Sequence, residues 1–148
     1  MKILFVGIAS EVLSGRICDT NGPLLGNFLA RFGQFIHQSI IVQDEESEIK
    51  NCLEHACSVG DFDMIICSGG LGPTRDDMTK EVLSKTFDCP LEKSHEAEAV
   101  AMGNYSRKKK EWNADDTHFH IFPKGMIPLN NPVGLAPGIY HRAQNKMK

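Results

Sequence analysis

This chain predicts an α/β fold built on a parallel sheet. Three observations point to that class. Apolar runs suited to buried strands alternate with stretches of helical spacing between Lys2 and Cys67. The third run, with Met-Ile-Ile-Cys at its heart, lacks polar alternation, as expected of a strand covered on both faces. It leads straight into Ser68-Gly69-Gly70-Leu71-Gly72, a glycine-rich turn of the kind that meets ligands at the strand ends of open sheets.

The elements follow in order. Residues 2–8 form the first strand. Asp19-Thr20-Asn21-Gly22-Pro23 opens a helix, with Pro in its first turn. Leu24, Leu25, Phe28, Leu29 and Phe32 follow at helical spacing, and Gly33 marks the end. Ile36 to Val42 is the second strand. Asp44 is placed to cap a second helix, whose apolar face is Ile49, Cys52, Leu53 and Ala56 and whose end is Gly60. Phe62 to Cys67 is the third strand. A third helix begins after the glycine turn, with Val82 and Leu83 inward. Glu92 to Trp112 reads as a longer polar helix, Thr117 to Phe122 as a strand, and Pro123 to Tyr140 as a loop and short strand.

Composition bounds the function. The 148 residues are 41% hydrophobic and 24% charged, the profile of one globular domain rather than a disordered chain. No 18-residue apolar run is present, so no membrane span is expected. The net charge of −3 argues against a protein that coats nucleic acid. The opening apolar run is short, with Glu11 and Arg16 close behind, and is read as a strand rather than a secretion signal. Five cysteines without a CxxC pair read as reduced thiols, and hence as a cytoplasmic protein. Cys52 and Cys57 lie about 500° apart around a helix and point to different faces.

Chemistry concentrates in a few places. Ser68, Gly69, Gly70, Leu71, Gly72 and Thr74 form a turn that can expose backbone amides to a phosphate or other anion. It is neither a Walker A loop nor a dinucleotide fingerprint, and a plain tight turn is the alternative. Asp76 and Asp77 follow, either as helix caps or as ligands of a divalent cation offsetting phosphate charge. Asp44 and Glu11 lie on the same carboxyl edge; taken alone, the first reads as a cap and the second as a solvated acid. Asn131, Pro132 and Gly134 sit in a rigid loop that either presents amides to a ligand or merely connects strands. Arg75 and Lys80 are the nearby cations. His118 and His120 alternate on the last long strand, and Arg107 to Lys110 form a basic run expected on a solvated helix face.

Together these residues carry a resemblance. Ser68-Gly-Gly-Leu-Gly-Pro-Thr-Arg-Asp-Asp-Met-Thr79 resembles the signature of the MoaB/Mog-type molybdopterin-binding domain, and most of all its CinA branch. Glu11 to Asn21, Val42 to Glu45 and Asn131 to Gly138 resemble its first loop, its acid after strand two and its late loop. The resemblance implies a three-layer α/β/α sandwich with a mostly parallel sheet. It also implies a phosphate-bearing small-molecule ligand. In molybdopterin-binding relatives Ser68 to Gly72, Asp44 and Asp77 would surround the pterin and its phosphate. In the CinA branch the implied activity is hydrolysis of ADP-ribose with a divalent metal (Mg, Mn or Co). Glu11, Asp76 and Asp77 would then be catalytic, Asp76 and Asp77 would hold the metal, and Asn131 to Gly134 would contact the second phosphate. A homo-oligomer is expected. Ala9-Ser10 depart from the family's Gly and acid before Glu11. Residues 1–148 are expected to be one such domain, shortened at its C-terminal end before the family's Pro-Gly-x-Pro loop.

Overall fold

The computed structural model describes residues 1–58, 61–74 and 76–142. Gly60 and Arg75 lie outside the described residues. The chain divides into two compact units, one spanning Met1–Gly70 and one beginning at Leu71. The division falls inside the glycine-rich turn. No helix among the described residues is long and apolar enough to cross a membrane.

The first unit holds β1 (Ile3–Ile8), α1 (Ser10–Leu13), α2 (Asn21–Ala30), β2 (Ile36–Val42), α3 (Glu46–Ser58) and β3 (Met64–Ser68). Its sheet has the order β2-β1-β3, and both pairings are parallel. Strand β1 is central and fully apolar apart from Gly7, and every residue in it is buried. Phe5, Ile3, Leu4 and Val6 are among the largest fully enclosed side chains. Burial of each such side chain stabilises the unit by roughly 1.5–3 kcal/mol before entropy is counted. Helix α3 presents Ile49, Leu53 and Ala56 to the core, as its spacing predicts. Edge strand β3 is only half-buried, and its Met64 is 39% exposed. The expectation of cover on both faces is not met there.

Helix α2 departs further. Gly22 and Leu29 are buried, whereas Leu24 and Phe28 on the same helix, and Phe32 just beyond it, are more than half exposed. Gly22 is needed for close approach: a Cβ there would fall 2.5 Å from Asp19 Oδ2 and 3.2 Å from the Phe5 ring.

The second unit holds α4 (Thr79–Thr86), β4 (Leu91–Lys93), α5 (His95–Arg107), α6 (Ala114–Thr117), β5 (Ile121–Pro123), β6 (Ile127–Leu129) and β7 (Gly138–Tyr140). Strands β4 and β5 pair antiparallel, as do β6 and β7. Ala97, Phe122 and Met126 form one buried cluster, against which Leu83, Phe87 and Ile139 pack. Ala101, Tyr105 and Phe119 form another, joined by Trp112 and Leu135. Here the sequence reading needs correction. The Glu92–Trp112 helix is shorter: Glu92 lies in β4, the Ser94 hydroxyl caps α5 by accepting from the Ala97 amide, and the helix ends at Arg107. Lys109 then takes a left-handed φ of 54°, so Lys108 to Lys110 are not a helix face. The predicted strand from Thr117 is mostly absent. His118 closes α6 with a left-handed φ of 52°, and only Ile121–Pro123 pair.

The five cysteines are free. Burial pushes the Cys67 thiol up to about 12, and the Cys52 and Cys57 thiols add to that shift.

Candidate functional site

In the first unit, three parallel strands deliver their carboxyl ends to one edge. The pairing of Ile8 with Val42 places Ser10 and Asp44 at equivalent positions, each two residues past its strand. They clasp reciprocally. The Ser10 amide donates to Asp44 Oδ2 at 2.6 Å, and the Asp44 amide donates to Ser10 Oγ at 2.9 Å. Asp44 thereby ties the end of β2 to the loop after β1. The sequence reading missed Ser10 in this role; the parallel register is the signal that finds it.

Beside that clasp, β3 ends at Ser68. Asn21 Nδ2 donates to Ser68 Oγ at 2.9 Å, linking the start of α2 to the end of β3. Gly69 follows with φ of 117°, and a Cβ there would collide with the Ile8 carbonyl oxygen. Only glycine adopts that backbone readily and lets strand ends β3 and β1 approach so closely. Gly70 also has positive φ, at 65°. The amides that open α2 are already engaged: Asn21 N donates to Asp19 Oδ1 at 2.9 Å, and Gly22 N donates to Asp19 Oδ2 at 3.1 Å. The Asp19 carboxylate, one residue before the N-cap Thr20, thus takes the Asn21 and Gly22 amides. Glu11 lies exposed on α1.

In the second unit, the remaining half of the turn closes on itself. Thr74 donates to Asp77 Oδ2 through its amide at 3.0 Å and its hydroxyl at 2.5 Å. The Gly72 amide also bonds this carboxylate. Partial burial pulls the Asp77 carboxyl upward. The Thr74 hydroxyl and the Gly72 and Thr74 amides together outweigh that and hold it below the usual carboxylate range. A side chain at Gly72 would run into the Asp77 carboxylate. The amides expected to cradle phosphate at Gly72 and Thr74 are therefore taken by Asp77. Leu71 is half-buried and Asp76 is exposed.

The late loop is closed in the same manner. Asn131 Oδ1 accepts from the Val133 amide at 3.2 Å and the Gly134 amide at 2.7 Å, while its Nδ2 donates to the Ala136 carbonyl at 2.9 Å. Pro132 is exposed. Fully buried Asn104 donates to the Leu135 carbonyl, and Arg107 donates to Asn104 Oδ1, Asn130 Oδ1 and the Asn131 carbonyl. Arg107, read from sequence as a solvated cation, anchors this loop. Its amides are not presented outward at Val133 and Gly134, contrary to expectation.

Lys80 donates to the His118 carbonyl at 3.0 Å and lies 3.8 Å from Glu81. Burial lowers its pKa, and the Glu81 carboxylate opposes that shift. His118 and His120 do not alternate along a strand, and their rings are 6.5 Å apart. Among the described residues, no group of three or more His, Cys, Asp or Glu is arranged to hold a metal ion. With Asp77 engaged by three donors and Asp76 exposed, the residues present do not fit a protein-held divalent metal.

Comparison with known proteins decides the family. The model described as "Probable molybdopterin binding domain" matches residues 3–147. The chain belongs to that family. It is 31% identical to the CinA protein of Thermoplasma acidophilum, with a TM-score of 0.79 over 94% of this chain and 80% of that one. It is 32% identical to a CinA-like protein of Salinibacter ruber, covering 97% of this chain and 34% of that one. A protein of Caldivirga maquilingensis is 36% identical over 95% of this chain and 54% of its own length. The chain thus spans between a third and about half of these two curated relatives. The molybdopterin biosynthesis enzyme MoaB of Thermus thermophilus shares the fold, with a TM-score of 0.55 at 22% identity over 68% of this chain and 62% of that one. The α/β class with a parallel sheet, and its MoaB/Mog-like character, agree with expectation.

Proposed function

We propose that this chain binds a phosphate-bearing heterocycle, of the molybdopterin or nucleotide kind, at the carboxyl edge of β2, β1 and β3. One observation carries the reading: the positive-φ pair Gly69-Gly70 at the end of β3, beside the bonded Asn21 and Ser68 side chains. A turn of this kind lets a ligand reach the backbone closely, and strand ends of open α/β sheets are where such ligands lie. The family description supports the ligand class.

The edge is also acidic. Asp44 and Asp19 each accept from backbone amides, yet both keep a carboxylate at this edge. Two carboxylates disfavour a bare anion. They favour a ring that donates N–H groups to them while its phosphate lies toward the glycine turn. Turnover of an ADP-ribose-like pyrophosphate is the narrower activity that the CinA likeness raises. Among the described residues the acids do not assemble around a metal, so binding is the function proposed.

Calorimetry with molybdopterin, ADP-ribose and inorganic phosphate tests the reading. Saturable heat is expected with at least one heterocycle and none with phosphate alone. Loss of the Asn21 bond in Asn21→Ala should weaken binding by about 3–10-fold, the worth of one hydrogen bond. No heat with either heterocycle removes the proposal. AMP released from ADP-ribose in the presence of Mg²⁺, Mn²⁺ or Co²⁺ adds catalysis to it.

A further inference from the structure

Asn21 and Gly22 open α2, and no other Asn of the chain precedes a glycine. The pair is chemically labile. An Asn carboxamide carbon can reach the backbone nitrogen of the next residue, and glycine puts no side chain in the way. The fold requires both residues even so. Gly22 is fixed by its close approach to Asp19 and the Phe5 ring, and Asn21 by its bond to Ser68. The same contacts hold the reacting atoms. The Gly22 amide, the nucleophile in such a reaction, donates to Asp19 Oδ1 at 3.3 Å and Oδ2 at 3.1 Å. The Asn21 amide donates to the same carboxylate at 2.9 Å. Asn21 Nδ2, the leaving group, donates to Ser68 Oγ at 2.9 Å.

We propose that Asn21-Gly22 is a deamidation site, held latent by the first turn of α2 and reactive when that turn opens. In the step, water or hydroxide takes the Gly22 amide proton, and the nitrogen attacks Asn21 Cγ. The Cγ–Nδ2 bond breaks, Nδ2 leaves as ammonia with a proton supplied by water, and a five-membered imide remains. Water then adds to either imide carbonyl and opens the ring to aspartate or isoaspartate at position 21. Three features oppose this in the closed turn. The amide anion at Gly22 would form 3.1 Å from the Asp19 carboxylate, like charge beside like charge. Ring closure takes Asn21 out of the helical ψ that the first turn imposes. It also takes the carboxamide away from Ser68. Helix ends open at far lower cost than a core, so opening of this turn is enough to expose the pair. Either product lacks the Nδ2 donor that ties α2 to β3, and isoaspartate also lengthens the backbone by a methylene where α2 begins.

Ageing the chain at mildly alkaline pH tests this, with peptide mapping by mass spectrometry and chromatographic separation of the Asn, aspartate and isoaspartate forms. Each chain's folded rate is divided by its own rate in urea, which cancels the effect of a substitution on the intrinsic chemistry. The chain in urea is expected to give both products, and the folded chain to react at least ~100-fold more slowly, the worth of two to three hydrogen bonds. Asp19→Ala, which frees the Asn21 and Gly22 amides, should raise the ratio at least ~10-fold while circular dichroism shows a folded chain. If that variant does not fold, Ser68→Ala should raise the ratio about 3–10-fold. Asn131→Ala, a destabilising change in the second unit, should leave it unchanged. No product in urea, or equal rates folded and unfolded, overturns the proposal. So does an unchanged ratio in the folded first-turn variant, or a rise with Asn131→Ala, which would make the gate global. The readout is independent of ligand binding at the strand ends.

Discussion

The two halves of the glycine-rich turn are built from similar residues and hold themselves in different ways. On the side of the first unit, Ser68-Gly69-Gly70 takes its shape from backbone conformation and from the ends of neighbouring strands. On the side of the second unit, Gly72 to Asp77 is folded around one carboxylate, and Asn131 folds its own loop around one amide group. Glycine, Asn and Asp in a loop therefore do not identify exposed amides. What matters is whether a side chain of the same loop reaches back to take them. Sequence lists the donors, but only geometry shows who accepts.

Four measurements sharpen that contrast. The largest effect belongs to Gly69→Ala. It places a Cβ against the Ile8 carbonyl in a region of φ closed to other residues, and should cost about 3 kcal/mol or more in denaturant unfolding. A loss below ~0.5 kcal/mol would mean the strand ends are not fixed this way. Asn131→Ala should cost about 2 kcal/mol, since it orphans the Val133 and Gly134 amides and the Ala136 carbonyl. Faster hydrogen exchange at Val133 and Gly134 should accompany it.

Asp77→Ala should be milder, about 1 kcal/mol, because the carboxylate is largely solvent-screened. Its pH dependence has a definite sign. The Asp77 carboxyl titrates below its ordinary 3.8 in the folded chain, so its contribution is complete above that pH and is lost as pH falls through the lowered folded value. Asp77→Ala should flatten that part of the acid-unfolding curve, and an unchanged curve would count against the Thr74 and Gly72 bonds. Ser10→Ala should have the smallest effect, about 0.5–1 kcal/mol, because it removes only the bond from the Asp44 amide and leaves the Ser10 amide on Asp44. Thermal unfolding can resolve that difference.

The first unit was largely legible. Strand Ile36–Val42 and the buried face Ile49, Leu53 and Ala56 agree with the pattern in the chain, since long apolar runs and helical spacing signal directly what is buried. The second unit was not. Its strands are three residues long, too short for a period to register, and His118 turns left-handed in the middle of an apparent strand. Helix α2 shows the opposite failure. Its apolar residues announced a helix correctly but not the side that faces inward, since Phe28 and Leu29 read alike and only Leu29 is covered. Within the candidate site, the acids after strands one and two and the glycine turn were visible in order. That Asp44 holds Ser10 and Asp77 holds Thr74 was not.

By itself, then, the sequence determined the parallel α/β plan, its buried first strand and the edge at which polar residues gather. These follow from local apolar patterning and the position of glycine, which act on residues close in the chain. Tertiary structure alone decided which amides are occupied, which acids are turned to backbone, and which face of α2 is left bare. Each depends on partners brought together by folding, within hydrogen-bond or van der Waals reach, and such distances are not encoded in composition or spacing.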